Sequence, residues 1–145
     1  VSRQLVEIYT PASTLPDPSW APKISQAPAT IARTVTYSIS GTQFNGLSQA
    51  QAFGDEIQAP TNYPLVRITN AATGHVSYAR THDHSTMGVA TGRTTVSTQF
   101  HVPATADAGA SSLVVVANGI ASRQVCVVVV QAADSILTNG FDGCG

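Results

Sequence analysis

The chain alternates between short apolar runs and turn-forming residues, with almost no helical periodicity. The runs are rich in Val, Ile, Thr and Tyr and are bounded by Gly, Pro, Asn and Asp, which is typical of β-strands. The pattern predicts an all-β protein, an antiparallel β-sandwich of the immunoglobulin-like class with about seven strands. The predicted strands are Gln4–Tyr9, Thr34–Ser40, Tyr63–Thr69, His75–Thr81, Thr94–Val102, Ser112–Asn118 and Ala121–Gln131.

The clearest turn signal is Asn118-Gly119, between two apolar segments. An Asn-Gly pair in this setting is typical of a tight β-hairpin, because both residues tolerate positive φ. We therefore predict a hairpin at the centre of the core. Alternation along its strands predicts buried side chains at Val114 and Val116 and at Val127 and Val129.

The composition of the two ends differs from that of the middle. Residues 1–30 contain an isolated apolar strand and a connector with five prolines between Pro11 and Pro28, and we expect these prolines to prevent regular pairing. The predicted organisation is the end of an upstream region with its connector in 1–30, the sandwich in 31–132, and a tail in 133–145. Leu5, Ile8 and Trp20 are expected to contact a partner outside the sandwich.

Charge and hydropathy exclude several classes of function. The chain has 145 residues, of which only 10% are charged, and a net charge of −1. Nucleic-acid binding is not expected, because phosphate neutralisation needs clustered cations. No apolar run is long enough for a membrane span, and the longest, Val125–Val130, suits a buried strand.

The two cysteines, Cys126 and Cys144, predict a disulfide if the chain folds in an oxidising compartment. Closing that loop would stabilise the fold by roughly 3 kcal/mol in the chain-entropy model. The alternative is a buried thiol at Cys126 and an exposed one at Cys144. The tail Asp134–Asp142 resembles C-terminal tails of exported Gram-negative proteins, so a secreted or cell-envelope bacterial protein is expected.

Candidate metal ligands occur together only at Thr81-His82-Asp83-His84. In an extended segment His82 and His84 would point to the same side, with Asp83 facing away. The pair could bind copper or zinc if a third ligand, such as His75, His101 or Asp83, completed the site. The alternatives are a site completed by another domain and an ordinary hydrogen-bonded loop.

Three further groups have a functional and a structural interpretation. Tyr63, Tyr78 and Trp20 would form a sugar-stacking platform if exposed together, but packing within the core or at a seam is the simpler expectation. Arg67 and Arg80 suit a solvated strand face better than a ligand site. Ser85 and Thr86 beside His84 lack an orienting acid, and a nucleophile–base pair is not expected there.

The order of several segments resembles the C-terminal immunoglobulin-like domain of galactose-oxidase-like and glyoxal-oxidase-like kelch proteins. The resemblance runs from about Val6 to Val130. It is carried by Val6–Pro11, Ala21–Ile24, Leu65–Ile68, Thr81-His82, Phe100–Pro103 and Ser112–Asn118. In that family a kelch propeller precedes this domain, and one loop of the domain supplies a histidine to copper.

The resemblance implies that His82, which follows Thr81, is the copper ligand. The chain has Ser85 and Gly88-Val89 where the family has an Asn and a Gln-Arg pair. The implied function is an accessory domain that packs on a propeller of the same protein, whose activity would be copper-dependent alcohol or aldehyde oxidation. No cofactor is expected in the isolated chain. The alternatives are a carbohydrate- or protein-binding module without a metal site and a purely structural lid.

Overall fold

The computed structural model describes residues 16–48 and 63–132 of the chain. A short 3-10 helix at Pro18–Trp20 precedes nine strands. These are β1 (Lys23–Gln26), β2 (Thr30–Ala32), β3 (Thr36–Thr42), β4 (Leu65–Asn70), β5 (Val76–His82), β6 (Val96–His101), β7 (Gly109–Ala117), β8 (Ile120–Ala121) and β9 (Val125–Val130). The predicted all-β, sandwich-like fold is confirmed. The predicted strand Gln4–Tyr9 and the tail 133–145 lie outside the described residues.

The strands form a curled sheet in the order β1-β3-β6-β5-β4-β7-β9-β2, with β8 paired to β7. Strand β5 links the two halves of this order. Its first residues, Val76–Ala79, pair with β4, and its last three, Arg80–His82, pair with β6. Each described pairing is antiparallel except β2 with β9, which is parallel.

One apolar core lies between the two halves. It combines Ile39 and Phe100 from β3 and β6 with Val66, Leu113 and Val129 from β4, β7 and β9, each at most 1% exposed. Burying side chains of this size stabilises the fold by about 1.5–3 kcal/mol each. This core fixes which residues of each strand point outward.

The predicted hairpin is confirmed at Asn118-Gly119, which joins β7 to β8. Both residues have positive φ, 49° and 76°, as a type I′ turn requires. The Asn118 side chain accepts from the Leu47 amide at 3.1 Å, so the hairpin tip also holds the chain after β3. Gly46 is needed here, because a Cβ on it would lie 1.6 Å from Asn118 Oδ1.

The prediction for β7 is confirmed only in part. Val114 is buried, at 6% exposed, but Val116 is only half-buried, and the side of the strand that faces the main core cluster carries Leu113 and Val115. Apolar residues occupy successive positions here, which hides the alternation that the prediction used. On β9 the predicted pair, Val127 and Val129, does lie in the core.

The connector prediction is wrong for one segment. Strand β1 pairs with β3, although it lies within the proline-rich region. Pro22 and Pro28 flank β1 without interrupting it, so they remove no hydrogen bond from the ladder.

Candidate functional site

The His82 side chain lies at the end of β5, where the strand leaves its partner β6. The preceding residue, Thr81, points inward and donates its hydroxyl to the Pro64 carbonyl. Alternation therefore turns His82 outward, and its side chain is 36% exposed. The imidazole is accessible and is not bonded into the core, as predicted for a ligand.

The His82 ring is held by its neighbour. Its Nδ1 lies 2.9 Å from Asp83 Oδ2. An ionised carboxylate only accepts hydrogen bonds, so the neutral imidazole carries its proton on Nδ1 and leaves the Nε2 lone pair free. Histidine ligands of metals usually have this kind of carboxylate partner.

The prediction that Asp83 faces away is wrong. Asp83 has φ of 49°, in the left-handed region, and the strand ends at His82. The two-residue alternation therefore does not extend from His82 to His84. This turn brings the carboxylate back onto the His82 ring.

His84 points to a different partner. Its Nδ1 lies 2.9 Å from the hydroxyl of Thr98, a buried residue of β6. The Thr98 hydroxyl is also within hydrogen-bond distance of the His82 carbonyl, at 3.1 Å. Burial, and secondarily the nearby His82, lowers the pKa of His84, and Asp83 opposes this only in part. His84 therefore favours its neutral form.

The His82 loop is anchored by a buried asparagine. Asn45, 4% exposed, donates through Nδ2 to the carbonyls of Thr86 at 2.7 Å and Gly88 at 3.1 Å. The Ser85 hydroxyl accepts from the Ser97 amide at 2.8 Å. The sequence offered no signal for Asn45, which lies 41 positions from Thr86.

No third ligand completes a metal site in the described part of the chain. His75 lies at the other end of β5, and His101 bonds to Thr36 at 3.2 Å. Within residues 16–48 and 63–132, no group of three or more His, Cys, Asp or Glu side chains is placed to hold a metal ion.

A second histidine–aspartate pair, which sequence reasoning missed, lies at the start of β5. His75 Nδ1 is 2.7 Å from Asp107 Oδ2, and the Thr73 hydroxyl donates to the same oxygen at 2.6 Å. These bonds, with the charges of His75 and Arg33, lower the pKa of Asp107. Only the fold brings Asp107 here, because it lies 32 positions from His75.

Two predicted aromatics are exposed, one just before β4 and one on β5, contrary to the expected packing in a core or seam. Tyr63 is 49% exposed and stacks on His84, with ring centroids 6.0 Å apart. Tyr78 is 56% exposed and pairs in register with Arg67. Trp20 is also exposed, on the short 3-10 helix.

The other predicted groups do not converge into a site. Ser85 bonds to β6, and Thr86 accepts from the Gly88 amide, so neither hydroxyl pairs with His84. Cys126 lies on β9 and is not a free thiol. Cys144 lies outside the described residues, so the disulfide between them stays a prediction.

Comparison with protein-family models, curated proteins and solved structures finds no match for this chain. The resemblance to galactose-oxidase-like proteins therefore stays a prediction. In the described residues no helix is long and apolar enough to cross a membrane.

Proposed function

We propose that this chain is the C-terminal accessory domain of an exported kelch-type, galactose-oxidase-like protein. It packs on the propeller of that protein and contributes His82 to a copper site formed mostly by the propeller. The observation that carries the proposal is the geometry of His82. Its ring points outward, Nδ1 is held by Asp83 at 2.9 Å, and Nε2 has no hydrogen bond to any of the described residues.

The chain's own part in such a site is to supply and orient one neutral imidazole. Copper, when bound, would supply the redox chemistry of alcohol or aldehyde oxidation. Asp83 fixes the tautomer of His82, and Asn45 and Ser85 hold the loop that follows it. The isolated chain is proposed to have no oxidase activity, because a tight copper site needs three or four ligands.

The test uses the whole protein encoded by the gene. Copper content and the Cu(II) electron paramagnetic resonance spectrum are measured for the wild type, for His82→Ala and for His75→Ala. We expect His82→Ala to lose most of the copper and His75→Ala to retain it. Unchanged copper in His82→Ala, or a gene that encodes no propeller before this domain, would overturn the proposal.

A second candidate function is carbohydrate or protein binding without a metal. It is favoured by the exposed Tyr63, just before β4, and Tyr78, on β5, since aromatic faces stack on sugars. A glycan array would test it, with Tyr78→Ala expected to abolish a hit. Trp20→Ala is the matched control, because it removes an exposed aromatic elsewhere.

We also propose that the protein is exported to the cell envelope or secreted, and that Cys126 pairs with Cys144. Export supports the pairing because disulfides persist in oxidising compartments. The pairing is independent of the copper role.

A further inference from the structure

An open groove of about 860 Å³ lies between strands β1 and β8. The 3-10 helix and β1 line one side of it with Pro18, Pro22 and Ile24. The β8 hairpin lines the other side with Ile120 and Ala121. A cavity of this size with a mostly apolar lining is typical of binding sites. None of the residues assigned above to copper or sugar binding lines the groove.

The first side of the groove is held in place by the fold. Asp17 caps the 3-10 helix by accepting from the Ser19 amide at 2.8 Å. The Ser19 carbonyl accepts from Gln43 Nε2 at 3.2 Å, which ties the helix to the residue that follows β3. Pro22 is less than 2% exposed. This side therefore needs no ligand in order to form.

The second side is fixed in the same way. The hydroxyl of Ser122, a residue that is 7% exposed, accepts from the Val115 amide at 3.0 Å and donates to the Arg123 carbonyl at 2.8 Å. The Ser122 amide also donates to the Val115 carbonyl, at 2.8 Å. These bonds attach the end of β8 to β7 and fix the backbone of Arg123 beside the groove.

Ala121 offers unpaired backbone groups on its outer edge. In an antiparallel pair the backbone groups of successive residues point alternately toward and away from the partner strand. The Ser122 amide points to β7, where it meets Val115, so the amide and carbonyl of Ala121 point away from β7. Strand β1 has β3 on one side and no strand on the other within residues 16–48 and 63–132. Each of the two strands therefore has an edge with which an added strand can pair.

The charge of the groove is positive. Lys23 and Arg123 line it, and none of the described residues in its lining is acidic. Neither cation forms an ion pair within the part of the chain that the structure describes. Asp17 precedes the 3-10 helix, but its carboxylate faces the Ser19 amide. The groove therefore complements a ligand with a negative charge.

We propose that this groove binds an extended peptide segment of another protein, one that carries an acidic side chain. The main chain of the segment bonds to the edge at Ala121, its apolar side chains contact the prolines and Ile24, and its carboxylate meets Lys23 and Arg123. Strand addition of this kind takes its affinity from backbone bonds and its specificity from alternate side chains. The proposal depends neither on copper nor on the exposed tyrosines.

The test uses the single tryptophan of the chain as its reporter. Trp20 lies between Ser19 and Ala21, which line the groove, and is 49% exposed. Its fluorescence is titrated with a blocked pentapeptide, Thr-Val-Glu-Val-Thr, and with the control Thr-Val-Lys-Val-Thr. We expect the acidic peptide to bind about fivefold more tightly, and this preference to shrink as salt is added.

Two protein variants separate charge recognition from strand pairing. Replacing both cations, Lys23→Gln with Arg123→Gln, should remove the preference for the acidic peptide. The matched control, Arg93→Gln, changes an exposed arginine elsewhere and should keep the preference. Ala121→Pro removes an amide that makes no bond to β7, and should weaken both peptides about tenfold.

Methylated peptides test the same pairing on the unchanged protein. Two forms of the acidic peptide are N-methylated at alternate sets of amides. An added strand turns only every second residue's backbone groups toward its partner, so we expect one form to lose binding and the other to keep it.

Each alternative gives a different result. No response to the acidic peptide, or equal affinity for the two unmethylated peptides, would overturn the recognition of an acidic segment. Equal binding of both methylated forms, with unchanged binding to Ala121→Pro, would overturn the strand pairing. Saturation of the Trp20 signal by decanoate alone would assign the groove to a small amphiphilic acid and not to a peptide. A signal that changes with protein concentration alone would assign it to a second copy of the chain, which also overturns the proposal.

Discussion

The two ends of β5 carry the same chemical pair in different settings. At the start of the strand His75 meets Asp107 at 2.7 Å, and at the end His82 meets Asp83 at 2.9 Å. The first aspartate comes from a distant loop and also binds Thr73, whereas the second is the histidine's neighbour. The first pair joins two loops, and the second orients one ring.

A buried asparagine supports each end. Asn70 accepts from the amides of Ala72 and Thr73 and donates to the Ala108 carbonyl. Asn45 donates to Thr86 and Gly88 beside the His82 loop. A histidine–carboxylate distance alone therefore does not identify a ligand. The surroundings of the pair decide whether it stabilises the fold or presents a lone pair.

The largest effect is expected at the His75 end. Asn70→Ala removes three hydrogen bonds of a residue that is 4% exposed, and should lower the free energy of unfolding by about 2–3 kcal/mol. Urea denaturation measures this. If Asn70→Ala lost less free energy of unfolding than Asn45→Ala, the His75 end of β5 would not be the end that contributes more to stability.

The second prediction distinguishes the role of Asp83 from that of Asp107. If Asp83 orients a copper ligand, Asp83→Ala should weaken copper binding by the whole protein about 10- to 100-fold, as removing such a partner typically does. Asp107→Ala is the matched control and should leave copper affinity unchanged. Equal weakening by both variants would show that the loss comes from general destabilisation.

A smaller effect is expected for Asn45→Ala. It loses the bonds to the carbonyls of Thr86 and Gly88, which lie near the surface. Water replaces part of these bonds, so the expected cost is about 1–2 kcal/mol. Amide hydrogen exchange should quicken at residues 84–90 and stay unchanged at residues 71–75. Uniform quickening at both ends would contradict a local anchor.

Sequence patterns predicted the parts of the fold that depend on local chemistry. The Asn118-Gly119 turn follows from two residues that tolerate positive φ, and both have it. Strand β2 could not be predicted, because its three residues gain their hydrogen bonds from the distant β9. The side of β7 that faces the main core cluster was misassigned because apolar residues occupy both sides of the strand.

The candidate site was only partly predictable for the same reason. Composition and spacing located His82, but the alternation rule failed at Asp83, whose φ of 49° reverses the chain. The hydrogen-bond partners of the other two imidazoles are distant in sequence. Thr98 lies 14 positions from His84, and Asp107 lies 32 positions from His75. Such partners follow from tertiary structure and not from local pattern.

The smallest expected effect is a pH dependence that differs between the two ends. The pKa of His84 is lowered in the folded state by burial and by His82. Below about pH 6.5 the unfolded chain therefore binds more protons at His84 than the folded protein does. The free energy of unfolding decreases as the pH is lowered, until the pH passes the pKa of the folded state. The pKa of Asp107 is also lowered, by Thr73 and His75, and its contribution is lost only below about pH 4.

Urea midpoints measured between pH 8 and pH 3 should resolve the two steps. His84→Asn should remove the loss of stability that begins near pH 6.5 and keep the loss below about pH 4. Asp107→Asn should remove the loss below about pH 4 and keep the one that begins near pH 6.5. Both effects should be small, because neither group is deeply buried and solvent screens their charges. If His84→Asn instead flattened the step below pH 4, the two ends of β5 would be electrostatically coupled, and their treatment as separate units would be wrong.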